Sequence, residues 1–300
     1  MKKVVWILVS LIVVLSSTYA IWREIEKRKD DDVPQSEIVL DFSKDVGVWW
    51  WHKADADKYL KFAKENGVDE IYYCDYNIDE NTFEFVKKAK ENGMKVFALW
   101  GEFEWIFNHT DFDLLMTKYQ NYQQTYNDAM FDGVHLDVEP HQAKDDEQTR
   151  DVNESFFANR TAYLTKYVEF VYYVTNIYGE IKFDFDIPFW FDDEIEFEGE
   201  KKECFKYVID FANRVFVMSY RDTAEAIVAV ASEELEYAKR KNKQIAVSVE
   251  MTSNEGDIVS FQEESKAVLC LQLKMLEELI NQDYLLSIHH IETWENLKEE

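Results

Sequence analysis

One pattern repeats from about residue 37 onward: a short apolar run rich in β-branched and aromatic residues, then a longer stretch with hydrophobic positions three and four apart. The short runs are Val46–Trp51, Glu70–Tyr76, Lys95–Trp100, Gly133–Glu139, Lys182–Ile187, Val215–Tyr220, Gln244–Glu250 and Leu285–Ile291, and each predicts a strand. The longer stretches predict helices. Ala54–Asn66 sets Tyr59, Phe62 and Ala63 on one face, and Asn81–Asn92 does the same with Phe85, Val86 and Ala89. Each ends in Asn-Gly, where glycine accepts the left-handed conformation that closes a helix. Further helices are predicted over Asp111–Met130, Asn153–Tyr178, Lys201–Asn213, Thr223–Lys241 and Phe261–Asn281. Eight strands alternating with helices in about 260 residues predict one α/β domain, a single (β/α)8 barrel or TIM barrel. An open doubly wound sheet is the competing layout. Its dinucleotide-binding form needs Gly-x-Gly-x-x-Gly after the first strand, and that motif is missing.

The first 37 residues follow another pattern. After Met1-Lys2-Lys3, the 19 residues Val4–Trp22 carry no charge, which is long enough for a helix to span a bilayer. Small residues at Ser16, Ser17 and Ala20 also allow a cleavable signal peptide, but the apolar core is longer than such peptides need, which favours an uncleaved anchor. A charged linker follows over residues 23–37, leaving 38–300 for the barrel. Basic residues flank the span on both sides, so charge does not fix its orientation. An N-terminal span ahead of a large domain is expected to export it, so the barrel is expected outside the cytoplasm: membrane-anchored, or secreted if the segment is cleaved.

Composition narrows the partners. With 60 acidic and 33 basic side chains the net charge is −27, which repels a phosphate backbone and argues against nucleic acid. The three cysteines, Cys74, Cys204 and Cys270, are odd in number and widely spaced, so neither a disulfide framework nor a zinc site is expected. No cofactor is expected either, and the oligomeric state is left open.

In a barrel of this kind the chemistry lies at the C-terminal ends of the strands. The fourth run is the richest: Asp132-Gly133-Val134-His135-Leu136-Asp137-Val138-Glu139-Pro140-His141. Alternation puts Val134, Leu136 and Val138 on the helix side and His135, Asp137 and Glu139 on the inner side. Two inward carboxylates in a confined space do not both ionise cheaply, so one pKa is expected to rise and supply a general acid near neutral pH.

This segment resembles the fourth-strand signature of family 18 glycoside hydrolases, the chitinases and endo-β-N-acetylglucosaminidases, which reads Asp-Gly-x-Asp-x-Asp-x-Glu. Here His135 stands where the second Asp of the motif would be. The resemblance implies that Glu139 is the proton donor. It also implies that Asp137 orients the substrate's N-acetyl group, which acts as the nucleophile. Met218-Ser219-Tyr220-Arg221-Asp222 is similar to the family's Met-x-Tyr-Asp, with Arg221 in place of the Asp, and implies that the Tyr220 hydroxyl holds the acetyl oxygen. Trp294, after the eighth run, stands near the family's Trp under the sugar, and Pro188 near its fifth-strand Pro. The chain also resembles the retaining glycosidases of clan A. Those carry an acid/base Glu at the end of strand four and a nucleophilic Glu at the end of strand seven, matched here by Glu139 and Glu250.

Aromatic and polar groups at other strand ends extend this set: Trp49, Trp51, Trp100, Glu102, His135, Asp186, Trp190 and Trp294 are candidate sugar contacts. Rings stack on sugar C–H faces while carboxylates bond hydroxyls. Three functions follow. One is a hydrolase of a β-linked, N-acetylated glycan, substrate-assisted or double-displacement. Another is a non-catalytic glycan-binding barrel. The third is a metal-dependent enzyme using His135, Asp137, Glu139, His141, Glu250, His289 and His290, although no tight metal-ligand spacing supports it.

Overall fold

The structure, a computed structural model, describes residues 42–51, 55–143, 156–252, 256 and 258–298. The Val4–Trp22 span, the linker over 23–37 and the predicted helix start at Asn153 lie outside the described residues. Among the described residues no helix is long and apolar enough to cross a membrane.

All eight predicted strands form. In chain order the barrel runs β1 (Val46–Trp50), α1 (Ala56–Glu65), β2 (Glu70–Cys74), α2 (Glu80–Glu91), β3 (Lys95–Trp100), α3 (Thr110–Thr125), β4 (Gly133–Leu136), α4 (Arg160–Ile177) and β5 (Phe183–Pro188). A hairpin of β6 (Glu194–Phe197) and β7 (Glu200–Glu203) follows, then α5 (Cys204–Phe211) and β8 (Arg214–Met218). The chain closes with α6 (Ala224–Val230), α7 (Ser232–Lys241), β9 (Gln244–Glu250), α8 (Lys266–Leu279), β10 (Leu285–His289) and α9 (Ile291–Glu295). Eight parallel strands close in the order β1-β10-β9-β8-β5-β4-β3-β2. The fold is the predicted (β/α)8 barrel.

Two expectations change. The predicted helix Lys201–Asn213 begins only at Cys204, because Glu194–Glu203 pairs with itself as an antiparallel hairpin. Glu198 (φ 50°) and Gly199 (φ 79°) form its turn, the left-handed pair that suits a two-residue connection. Its second strand, Glu-Lys-Lys-Glu, is charged throughout and gave no alternation to read; Ile195 is the hairpin's one deeply buried side chain. The predicted helix Thr223–Lys241 divides at Ala231 into α6 and α7. The three cysteines are free thiols.

The interior is built in tiers. At the bottom, Glu70 accepts from Lys95 Nζ at 2.9 Å and from Arg214 Nη1 at 2.7 Å, while Arg214 Nη2 donates to Asp184 at 2.6 Å. Burial acts to raise the Glu70 pKa, but the Arg214 and Lys95 charges outweigh it and hold it below the usual range. Above this floor Trp49, Tyr72, Phe97 and Phe216 pack together, with the Arg214 guanidinium 4.7 Å from the Phe97 ring centre. Gly47 is bare because the Tyr72 hydroxyl occupies the space: a Cβ there would lie 2.1 Å from that oxygen. The outward positions of the strands, such as Val134, Leu136 and Val138, join the helix-layer core.

Candidate active site

Above the aromatic tier opens a cleft of about 620 Å³ at the C-terminal ends of the strands. The chain past β4 contributes Asp137, Glu139, His141 and Gln142. The loops after β5 and β8 contribute Phe189, Trp190, Tyr220 and Arg221, and Glu250, His289 and Trp51 complete the wall. Another hollow, about 530 Å³, lies beside Tyr119, Phe131 and Lys182 ahead of β4 and β5, at the opposite strand ends and away from these carboxylates.

The position of Asp137 depends on β3. Asp137 N donates to Trp100 O at 2.9 Å, and a Cβ on Gly101 would meet the Asp137 carbonyl oxygen at 1.9 Å. Only glycine lets the two backbones approach this closely. Asp137 Oδ1 is buried and has no hydrogen-bond partner among the described residues. Burial first, and then the charge of Asp186, push the Asp137 pKa up to about 7. The raised carboxyl is thus Asp137, whereas the strand pattern had Asp137 raising Glu139. The partner that raises it lies on β5: His135 pairs with Asp184 in the β4–β5 ladder, so Asp137 and Asp186, two residues further along, are level.

His135 and Asp186 share a 2.5 Å hydrogen bond below the cleft, and both are buried. Burial lowers the His135 pKa to about 4, so the ring is neutral, and burial raises the Asp186 pKa well above its usual value. The carboxylate missing from β4 at position 135 has a counterpart one strand over. Neither His135 nor Asp186 lines the cleft, so both are removed from the expected sugar contacts. They sit behind Asp137.

Glu250 is held on both oxygens. Oε1 accepts from the backbone N–H groups of Met251 (2.6 Å) and Thr252 (2.7 Å), and Oε2 is 2.8 Å from His289 Nδ1. Burial opposes ionisation, but the hydrogen bonds from His289 and Thr252 act against it, and the pKa is lowered. For His289, burial works against the Glu250 carboxylate, and the net direction is upward. Trp51 Nε1–H nevertheless donates to His289 Nε2 at 2.7 Å, so that nitrogen must keep a lone pair. The hydrogen bonding thus holds the neutral ring with its proton on Nδ1, donated to Glu250.

Tyr220 stacks on His289 with ring centres 6.2 Å apart. Burial, then the charges of Glu250, Asp137, Asp186 and Glu139, push its pKa well above the usual value, so its hydroxyl stays a donor facing the carboxylates. Glu139 accepts from Gln142 Nε2, and His141 Nε2 lies 3.5 Å from its Oε1.

Of the expected residues the cleft brings together Asp137, Glu139, Tyr220, Glu250, Trp51 and Trp190. Four others are displaced. Trp49 is inward but sealed in the aromatic tier, 1% exposed. Trp100 faces the helix layer, against Tyr119, and donates its N–H to Asp75 O, because Phe97 and Leu99 take the inward phase of β3. Glu102 is exposed and outside the cleft lining, since the chain turns at once into a short 3-10 helix, Phe103–Ile106. Trp294 packs on Phe62 of α1 in the helix layer. Sequence reasoning missed Phe103 and Phe189 as lining residues, named His141 and His289 only as metal candidates, and met Arg221 only as a departure from the Met-x-Tyr-Asp motif. His289 was legible as the inward end of the eighth run; the loop residues carry no periodic signal. Among the described residues no group of three or more His, Cys, Asp or Glu is placed to hold a metal ion.

By sequence, no protein-family model matches the chain, and no curated protein matches it. Solved structures do. The spore cortex-lytic enzyme SleL of Bacillus megaterium QM B1551 aligns at a TM-score of 0.51 with 13% identity, over 87% of this chain and 74% of that one. The likeness is one of fold. Active domain 2 of chitinase from Pyrococcus furiosus aligns at 0.48 with 13% identity, over 84% and 86% of the two chains. A glycoside hydrolase family 17 β-1,3-glucanosyltransferase from Rhizomucor miehei aligns at 0.45 with 13% identity, over 84% and 86%.

Proposed function

We propose that the chain is a glycoside hydrolase that cleaves a β-linked, N-acetylated glycan, with Glu139 as general acid and base and Asp137 assisting. The observation that carries this is the convergence of Asp137, Glu139, Tyr220 and Glu250 on one cleft at the catalytic end of a (β/α)8 barrel. The barrel fold shared with SleL supports it.

On this reading Glu139 gives its proton to the glycosidic oxygen as the C1–O bond breaks. The substrate's acetamide oxygen attacks C1 and closes an oxazolinium ring. Asp137 accepts the acetamide N–H through its uncommitted Oδ1, and the proton of the Asp137–Asp186 pair stays with Asp186. Tyr220 O–H donates to the acetyl oxygen. Glu139, now a carboxylate, takes a proton from the water that reopens the ring. Ionised Glu250 faces the positive charge that builds at C1 and favours it electrostatically.

A second reading rests on Glu250 itself. It is ionised in the same cleft, and Oε2 keeps one lone pair beyond the His289 bond, so it suits the nucleophile of a double displacement. Substrate assistance is favoured because three hydrogen bonds, two to Oε1 and one to Oε2, already stabilise the Glu250 carboxylate and weaken it as a nucleophile. Hydrolysis of aryl N-acetyl-β-glucosaminides and of chitooligosaccharides, with and without a thiazoline inhibitor, tests the choice. Turnover blocked by the thiazoline supports substrate assistance. A fluorosugar adduct on Glu250 supports double displacement, and binding without any turnover means a glycan-binding barrel.

Localisation is proposed from the sequence alone: Val4–Trp22 anchors the chain in a membrane with the barrel outside the cytoplasm. Full-length chain is expected to stay with membranes through a high-salt wash. A mature N-terminus mapping just after Ala20 is the result that replaces the anchor with a signal peptide.

A further inference from the structure

The acidic surface makes unpaired cations conspicuous. Of the described arginines, Arg160 pairs with Asp192 and Asp193, Arg214 with Glu70 and Asp184, and Arg240 with Glu236. Arg221 has no such partner among the described residues, in a chain with 60 acidic side chains. It nevertheless lines the cleft together with Asp137, Glu139 and Glu250.

Its head group is held in place. Nη1 donates to the Tyr220 carbonyl at 2.6 Å, and the guanidinium carbon lies 4.8 Å from the centre of the Phe189 ring, itself part of the cleft wall. One carbonyl takes one of five N–H donors, and the ring face takes none as a full hydrogen bond. The remaining donors form a planar fork, the geometry that binds a carboxylate by two parallel bonds. A neutral sugar would leave that fork and its charge half-desolvated with only hydroxyls to meet it. The ionised carboxylates that share the cleft would repel an anion, so a cation fixed at the wall is what admits one.

We propose that Arg221 binds a carboxylate substituent on the glycan, so that the preferred substrate is an acidic, N-acetylated sugar polymer. This rests on the glycoside-binding reading of the cleft and narrows its substrate class. A half-buried charge-assisted bidentate pair is expected to favour the acidic ligand by about 10–100-fold over its neutral counterpart. The preference should weaken as salt is raised, because the site opens to solvent.

The test is a binding comparison in the Glu139→Gln variant, which removes turnover. The ligands are β-1,4-N-acetylglucosamine oligosaccharides with a carboxylate at C6, with an O3-carboxyalkyl ether, with a C6 sulfate, and unmodified. At least one carboxylate ligand is expected to bind about tenfold or more tightly than the unmodified one. That gap should collapse to within about twofold when Arg221→Gln is added. Both carboxylates binding no better than the unmodified sugar, a preference surviving Arg221→Gln, or tighter binding of the sulfate alone would each overturn the proposal. Wild-type hydrolysis of the unmodified oligosaccharide is measured alongside. Turnover there without a carboxylate preference defeats this inference alone, and absence of both binding and turnover defeats the glycoside reading beneath it.

Discussion

Glu139→Gln is expected to slow glycan hydrolysis by about 10²–10⁴-fold, the range a positioned general acid contributes. The amide nearly matches the carboxyl in shape and can still meet Gln142 and His141, so the fold should be unchanged by circular dichroism and thermal melting. The loss should depend on the leaving group. An aryl glycoside that departs without protonation hides the missing acid in the first step, so the deficit shrinks for dinitrophenyl substrates and is full for natural oligosaccharides. Full turnover of an oligosaccharide by the variant would refute both glycosidase mechanisms, since each assigns proton donation to this residue.

Asp137→Asn is expected to be nearly as severe for activity and to act oppositely on stability. Its carboxylate must accept the acetamide N–H as a charged acceptor; the Asn amide oxygen accepts only as a neutral group and stabilises the positive oxazolinium far less, and a loss of about 10²-fold or more is expected. Glu250→Gln should then cost far less, and the reverse order of severity would indicate the double-displacement route. The stability effect follows from the raised pKa, whose causes are burial and then Asp186. A carboxyl with a folded-state pKa of about 7 and an ordinary unfolded pKa binds its proton more tightly when folded. It costs the wild type nothing below pH 4, and the penalty grows as pH rises from about 4 to about 7. Asn carries no such penalty. Urea unfolding should find the variant more stable by about 1–2 kcal/mol at pH 8, allowing for water in the cleft, with the gain vanishing toward pH 4. A variant less stable than wild type at pH 8 would contradict the assignment of the raised pKa to this side chain.

The strands were legible because each alternates with a helix-sized amphipathic stretch and because β-branched and aromatic residues crowd the short runs. The same alternation put Asp137, Glu139, Tyr220 and Glu250 on the inner side, and all four line the cleft, since a strand extended past its last hydrogen bond keeps its phase. Phase also explains the failures. Trp100 ends its run, but a Trp on the helix side looks the same in sequence as one on the barrel side until Phe97 and Leu99 are recognised as the inward pair. Trp49 has the right phase and the wrong depth: one residue pair lower than Trp51, it falls beneath the cleft floor. Depth is set by the stagger between strands, a long-range property that a single run does not encode. The His135–Asp186 bond was hidden for the same reason, as it needs the β4–β5 register. Arg221 and Phe189 lie on loops, where no period operates.

The ionic floor of Glu70, Arg214 and Asp184 lies at one end of the barrel and the loops bearing Phe189, Trp190 and Arg221 at the other, with the Trp49–Tyr72–Phe216 rings between them. Selection can therefore act on the two ends separately. A lineage carrying this scaffold can exchange the loop after β5 or β8 and change which ligand it accepts while the charges that close the barrel drift little. The reverse also holds: a change at Arg214 would be purged for its cost to folding whatever the substrate, because removing one member of a buried ionic cluster strands the others. Among descendants of this chain, the bottom of the barrel should record ancestry and the loops above the cleft should record diet.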